Sequence, residues 1–264
     1  MANIPAVAAK RLSASVPKFR KILSRAKERD VNESDTVTII TDMLEEVFGF
    51  DKYSDITREF GIQGTFCDLA IKTGKRVQYL IEVKAIGLQL RESHLRQSVN
   101  YASREGVKWV VLTNGINWEI HRVHVDEQVK SERLFAFNIL EMNPRKKEDQ
   151  DLLFLLCKRG VQKDLIADFY EYKQSVNRYT IGALLLSDPI LTVVRRELRR
   201  LKTGLNVSVE EIGEMMAAEV LKRDLIEGEA AKEAQKQVTK AMKQHEKAKT
   251  KAKPTRSQDS QEGS

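Results

Sequence analysis

Two acidic residues and a lysine stand near the ends of two short apolar segments. Asp68 interrupts the run TFCDLAIK, while Glu82 and Lys84 close the run RVQYLIEVK. Side chains two residues apart on a strand project from the same face of a sheet, and carboxylates on neighbouring strands can hold one divalent cation. This pattern predicts a site for metal-dependent hydrolysis of phosphodiester bonds, built from Asp68, Glu82 and Lys84.

The expected chemistry assigns a role to each group. A bound Mg²⁺ activates a water and offsets charge on the reacting phosphate, with Asp68, Glu82 and the backbone carbonyl of Val83 as oxygen ligands. Lys84 is expected beside the water or the phosphate. The alternative is that these are solvated residues at strand ends. Against it, Glu82 follows an apolar run predicted to be buried, where a carboxylate without a partner is costly.

Three further polar residues precede and follow this set. Glu33 opens an amphipathic helix, where its carboxylate either joins the metal site or complements the positive end of the helix dipole. Gln97 and Tyr101 are one turn apart on the helix after Lys84, so they share a face that can turn towards the site. An amide and a hydroxyl can bond phosphates or base edges, although both also occur as ordinary polar residues of helices.

The elements that must position these residues follow from periodicity and turn signals. The chain predicts a helix, a second helix ending at Gly49, three strands, a third helix, and a hairpin turning at Asn114 and Gly115. After about Asp149 the composition is that of helices. The expected fold class is α/β, with a central mixed β-sheet flanked by helices and followed by a helical C-terminal appendage.

Composition divides the chain into four expected segments, and it places much of the positive charge at the end. These segments are a basic helix over 1–30, the sheet domain over 31–145, a helical region over 146–227, and a Lys-rich, largely disordered tail over 228–264. The formal net charge is +7, and the tail from Glu229 onward has nine Lys or Arg against five Asp or Glu. Net charge alone is therefore weak evidence for nucleic-acid binding.

A more local cationic feature is the helical run around Arg195, Arg196 and Arg199. Arginines one turn apart, with Arg200 completing the second pair, form a strip that can follow a phosphate backbone. A solvated helix face paired with Glu197, or a contact with an acidic partner, explains the strip equally well.

Two observations concern the compartment. No apolar run reaches the length of a membrane span, and the N-terminal segment reads as an amphipathic helix without a cleavage site, so a cytoplasmic protein without membrane contact is expected. Cys67 and Cys157 are the two cysteines of the chain, and both are expected to be buried free thiols.

The ordered motifs resemble those of a known family. Glu33 at the head of a helix is followed by FGFD, DLAI, IEVKA, QSVNY and VVLTNGINWEI. Together they resemble the N-terminal nuclease domain of type I restriction enzyme R subunits, within the PD-(D/E)xK superfamily, over roughly residues 30 to 140. The spacing of Gln97 and Tyr101 also resembles that of RecB-type nucleases.

The resemblance implies a restriction-endonuclease-like sheet with Asp68, Glu82 and Lys84 as the catalytic triad around Mg²⁺ or Mn²⁺. It implies Glu33 as a helix-borne acid near the metal, and Gln97 with Tyr101 on the nucleic-acid side. The sequence departs from the family in two respects. Cys67 replaces the proline that names the superfamily, and no Walker A motif is present, so no ATP-driven motor is expected.

The sequence thus predicts a Mg²⁺-dependent DNA endonuclease of the restriction or phage-defence type. The first alternative is a catalytically silent nucleic-acid-binding or regulatory subunit of a defence assembly. The second is an interaction subunit that forms a homo-oligomer or docks a defence-system partner through its helical half.

Overall fold

The computed structural model describes residues 3–62, 65–125 and 127–251. The chain divides into two units, Met1–Tyr170 and Glu171–Ser264, and the boundary falls within helix α6. The helices of the first unit are α1 (Ala6–Glu28), α2 (Glu33–Glu46), a 3₁₀ turn (Glu92–Leu95), α3 (Arg96–Arg104), α4 (Lys147–Leu155), α5 (Lys158–Gln162) and the start of α6 (Leu165–Ser175). Its strands are β1 (Ile56–Ile62), β2 (Thr65–Thr73), β3 (Arg76–Val83), β4 (Trp109–Thr113), β5 (Asn117–Val125) and β6 (Val129–Asn138).

The strands form one six-stranded sheet in the order β1-β2-β3-β4-β5-β6. All neighbouring pairs are antiparallel except β3 and β4, which are parallel because α3 provides the crossover between them. The predicted hairpin joins β4 to β5, and Gly115 adopts the positive φ of 83° that its turn requires. The predicted α/β class with a mixed sheet is confirmed.

Helices cover both faces of the sheet. One face, which includes Leu69 and Ile81, packs against α1 and α2. The other face, which includes Ala70 and Leu80, packs against α3 through Leu95 and neighbouring residues. Burial on both sides explains why β2, β3 and β4 read as nearly continuous apolar runs.

Helix α1 belongs to the core of the first unit. Leu12, Val16, Phe19 and Leu23 recur at helical spacing and are at most 2% exposed, while most of the basic residues are exposed. Helices α4 and α5 also contribute buried residues to this core. The unit therefore extends beyond the segment 31–145 on both sides, because apolar spacing, and not composition, decides which helices pack on the sheet.

The second unit contains helices after the end of α6. They are α7 (Arg178–Leu185), α8 (Asp188–Leu201), α9 (Val209–Met215), a π turn (Met216–Val220), a 3₁₀ turn (Arg223–Leu225) and α10 (Glu229–Lys251). Helix α10 packs on α7 and buries Ala231, Ala234 and Val238. The Lys-rich segment is thus helical as far as Lys251, and the remainder of the predicted disordered tail lies outside the described residues. Among the described residues, none of the helices combines the length and the apolar character that spanning a membrane requires.

Candidate active site

Strand register brings Asp68 and Glu82 together. Leu69 of β2 pairs with Ile81 of β3, so the next residue on each strand is Asp68 and Glu82. Residues opposite each other in an antiparallel pair project from the same face, which here is the face covered by α3. Glu82 is only 8% exposed and Asp68 is half-buried. Two carboxylates therefore share one poorly solvated location, as the sequence predicted.

The surroundings of Asp68 disfavour its charge. Its Oδ2 accepts a hydrogen bond of 2.7 Å from the backbone N–H of Val83. Burial raises the pKa of Asp68 to about 6; the Val83 bond opposes this shift, and the charges of Glu82 and Glu33 add to it. A positive charge close to this carboxyl group would lower its pKa and favour the ionised form.

Lys84 provides positive charge at this location. Its Nζ lies 2.7 Å from Oε1 of Glu82 and 3.5 Å from Oε2 of Glu33, at the first turn of α2. Its backbone N–H donates to the carbonyl of Thr113 at 2.9 Å and so holds the residue beside β4. Burial alone would lower the pKa of Lys84, but the hydrogen bond and charge of Glu82 outweigh it and raise the pKa.

The structure therefore assembles four of the predicted residues, Asp68, Glu82, Lys84 and Glu33. The oxygen donors of Asp68 and Glu82 fit a hard cation such as Mg²⁺ or Mn²⁺. Within the described part of the chain, no three His, Cys, Asp or Glu side chains group closely enough to hold a metal ion. Glu33 therefore contacts Lys84 and does not complete a ligand cluster with Asp68 and Glu82. The role of the Val83 carbonyl remains a prediction.

Helix α3 carries the two other motif residues, in different surroundings. Gln97 is exposed, with interactions of its own. Tyr101 is 3% exposed, its ring meets that of Phe60 edge-on at 5.9 Å, and its buried hydroxyl has no hydrogen-bond partner among the described residues. Burial raises the pKa of Tyr101. The two residues thus have different environments although they are one helical turn apart, because Phe60 of β1 packs against Tyr101. Their predicted place on the nucleic-acid side of the site remains a prediction.

Ser98 is a site residue that the sequence analysis did not identify. It is fully buried, and its hydroxyl donates a short hydrogen bond to Oε2 of Glu82. The available signal was its place on the apolar stripe of α3, between Leu95 and Ala102, where a serine needs a buried partner.

Cys67 lies beside this contact. Its thiol donates to the carbonyl of Ile81 at 3.1 Å, and burial raises the pKa of the thiol to about 12. Both cysteines are buried and free, as predicted.

The predicted arginine strip lies in the second unit, on α8. Arg196 and Arg200 form ion pairs with Glu197 at 3.0 and 2.8 Å, which agrees with the solvated, salt-bridged alternative for these two residues. Arg199 is exposed and Arg195 is half-buried. The interaction of Arg195, Arg196 and Arg199 with nucleic acid remains a prediction.

Comparison with known proteins yields one match. The family model described as type I restriction enzyme R protein N terminus (HSDR_N) matches residues 39–136, a segment that contains Asp68, Glu82, Lys84, Gln97 and Tyr101. No curated protein and no solved structure matches the chain. The match confirms the predicted resemblance and relates the chain to restriction enzymes. Residues 39–136 are thus similar to the N-terminal region of the type I restriction enzyme R protein, which is consistent with a nuclease-like domain.

Proposed function

We propose that this protein is a Mg²⁺- or Mn²⁺-dependent endonuclease that hydrolyses DNA phosphodiester bonds in a restriction or phage-defence system. The observation that carries the proposal is the meeting of Asp68, Glu82 and Lys84 at adjacent strand ends, inside a segment related to restriction enzymes. Hydrolysis at such a site uses no ATP.

Each residue of the site has a separate role in the proposed reaction. Asp68 and Glu82 would hold the cation, with the Val83 carbonyl as a further oxygen donor. Glu33, which contacts Lys84 here, would join them only by moving from Lys84 towards the cation. The cation, when bound, supplies an activated water and stabilises charge on the phosphate. Lys84 remains protonated near neutral pH because its pKa is raised, so it acts through its charge and hydrogen bonds, and not as a base.

Basic and polar surfaces support the assignment of DNA as the substrate. Gln97 is exposed on α3, next in sequence to the serine that contacts Glu82. In the second unit, α8 carries Arg195, Arg196 and Arg199. The outer face of α10 carries four exposed lysines at helical spacing, opposite its buried face: Lys232, Lys236, Lys240 and Lys243. Such rows favour contacts with a phosphate backbone and carry no sequence specificity.

A cleavage assay tests the proposal. The purified protein is expected to nick or cut plasmid DNA with Mg²⁺ or Mn²⁺ and not with a chelator. Glu82→Gln and Lys84→Ala should each reduce the rate by at least about 100-fold, the usual effect of losing one charge-stabilising group. Glu45→Gln changes an exposed acid of α2 and should cut normally. Equal cutting by all variants contradicts the assignment.

A second candidate function is a catalytically silent nucleic-acid-binding or regulatory subunit. It is favoured by the engagement of both Glu82 oxygens within the protein, one by Lys84 and the other by Ser98. This candidate predicts salt-sensitive DNA binding without turnover, and no Mn²⁺ binding at Asp68 and Glu82. Single- and double-stranded DNA and RNA should be compared in the same assay. Cleavage of any of these nucleic acids supports the endonuclease, whereas binding without cleavage of all of them supports the silent subunit.

A further inference from the structure

Ser98 occupies an unusual position for a hydroxyl group. It is 0% exposed on the buried face of α3, and its Oγ donates to Oε2 of Glu82, which is itself 8% exposed. The Sγ atom of Cys67 lies 3.9 Å from the same Oγ, and the thiol donates its shortest hydrogen bond, of 3.1 Å, to the Ile81 carbonyl. The serine hydroxyl is therefore the group that engages the inner oxygen of this carboxylate.

The contact makes the two oxygens of Glu82 unequal. Oε2 is held by a buried helix residue, whereas Oε1 faces the Nζ of Lys84 at 2.7 Å. Lys84 is a flexible side chain that can move away when another cation approaches, but Ser98 is fixed by the packing of α3 on the sheet. Only Oε1 can then exchange its partner without disturbing the core.

We infer that Ser98 is a positioning residue that keeps Glu82 a ligand through one oxygen and thereby favours Mg²⁺ or Mn²⁺ over Ca²⁺. Ca²⁺ takes more ligands and commonly uses both oxygens of a carboxylate, whereas the smaller ions require an octahedral set. A hydrogen bond to a ligating carboxylate fixes its orientation. This inference rests on the proposed function, and Ser98 itself touches neither the cation nor the substrate.

A purely structural role predicts a different result. If Ser98 only satisfies a buried carboxylate, its removal lowers the stability of the fold and leaves the relative affinity for different cations unchanged. The ratio of Mn²⁺ to Ca²⁺ affinity therefore separates positioning from simple stabilisation.

The test measures binding of Mn²⁺ and Ca²⁺ to the full chain by isothermal titration calorimetry. Ser98→Ala is expected to weaken Mn²⁺ binding by about 10- to 100-fold, the usual effect of losing such a partner, and to weaken Ca²⁺ binding less. Ser98→Thr keeps the hydroxyl and should retain most of the preference for Mn²⁺. Ser103→Ala is the matched control, because Ser103 is half-buried on the same helix and its hydroxyl donates to the carbonyl of Asn100, away from Glu82.

The outcomes are distinct. An unchanged affinity ratio in folded Ser98→Ala, with wild-type binding intact, overturns the role of Ser98 alone. Absence of Mn²⁺ binding by the wild type overturns the proposed function together with this inference. If Ser98→Ala does not fold, Ser98→Cys keeps the volume with a weaker donor and should lower the ratio, and an unchanged ratio there also overturns the inference.

Discussion

The ammonium group of Lys84 lies 2.7 Å from Oε1 of Glu82, at the point where β3 ends beside β4. The side chains of Lys84 and Glu82 are only 16% and 11% exposed, so water solvates them poorly. Each charge is therefore stabilised mainly by the opposite charge of its partner. The pair is thus a structural ion pair in this state and, under the proposed function, a catalytic pair once a cation binds.

This dual role predicts a loss of stability on breaking the pair. Lys84→Ala leaves a buried carboxylate without its counter-charge and should lower the free energy of unfolding by roughly 1 to 3 kcal/mol in the presence of chelator. The double variant Glu82→Gln/Lys84→Met should recover most of this loss. Chemical denaturation measures both, and equal stability of Lys84→Ala and the wild type would show that the pair contributes nothing.

Cation binding should stabilise the folded state through the same carboxylates. Saturating Mn²⁺ is expected to raise the Tm of the wild type, because a ligand that binds only the native state adds stability. Asp68→Asn should abolish the increase, since it removes one anionic ligand and keeps the acceptor for the Val83 N–H. Thermal denaturation with and without Mn²⁺ gives the comparison. An equal increase in Asp68→Asn would place the ion elsewhere.

The raised pKa of Asp68 gives stability a defined pH dependence without metal. The folded state binds this proton up to about pH 6, whereas the ordinary pKa is 3.8. Between these values the unfolded chain binds fewer protons, so the free energy of unfolding falls as pH rises. Above pH 6, Asp68→Asn should therefore be the more stable by about 1 kcal/mol, after allowance for solvent screening, and near pH 4 the difference should vanish.

Denaturation across this pH range, with chelator present, provides the measurement. Asp168→Asn alters an exposed acid of α6 and serves as the control. A stability difference between Asp68→Asn and the wild type that grows as pH falls has the wrong sign and would contradict the description of Asp68 as a destabilised carboxylate.

The lysine row of α10 should contribute to DNA affinity without sequence preference. Replacing its four lysines by glutamine is expected to weaken binding to all duplexes alike and to reduce the slope of log affinity against log salt by about one for each lost contact. The matched control replaces four exposed lysines of the first unit, Lys10, Lys21, Lys27 and Lys147. Fluorescence anisotropy over a salt series measures the slopes. Identical slopes for the two variants would show that the lysines of α10 contribute no more to DNA binding than other exposed lysines.

Local periodicity was sufficient to predict Asp68, Glu82 and Lys84 as one group. A strand alternates its faces, and short turns fix the register of β2 against β3, so residue spacing determines which side chains meet. The hairpin at Asn114 and Gly115 followed from the same kind of local rule.

Residues that depend on docking between elements were not predictable in this way. The contact of Ser98 with Glu82 requires the rotation of α3 on the sheet, and the burial of Tyr101 requires Phe60 to pack against it. Strand β6 was not identified as a separate strand, because most of its residues are exposed or half-exposed and its apolar run is confined to 134–137 near its end. Tertiary packing fixes these contacts. The place of Ser98 on the apolar stripe of α3 indicates that it needs a buried partner, but it does not identify that partner.

The most direct test of the central claim is plasmid cleavage by the wild type and Asp68→Asn over a titration of Mg²⁺. The account predicts nicked and linear products from the wild type that increase with Mg²⁺ and disappear with chelator, and no products from Asp68→Asn at any concentration. Cleavage by Asp68→Asn at the wild-type rate, or a folded wild type that leaves every nucleic acid intact at all Mg²⁺ and Mn²⁺ concentrations, would contradict it.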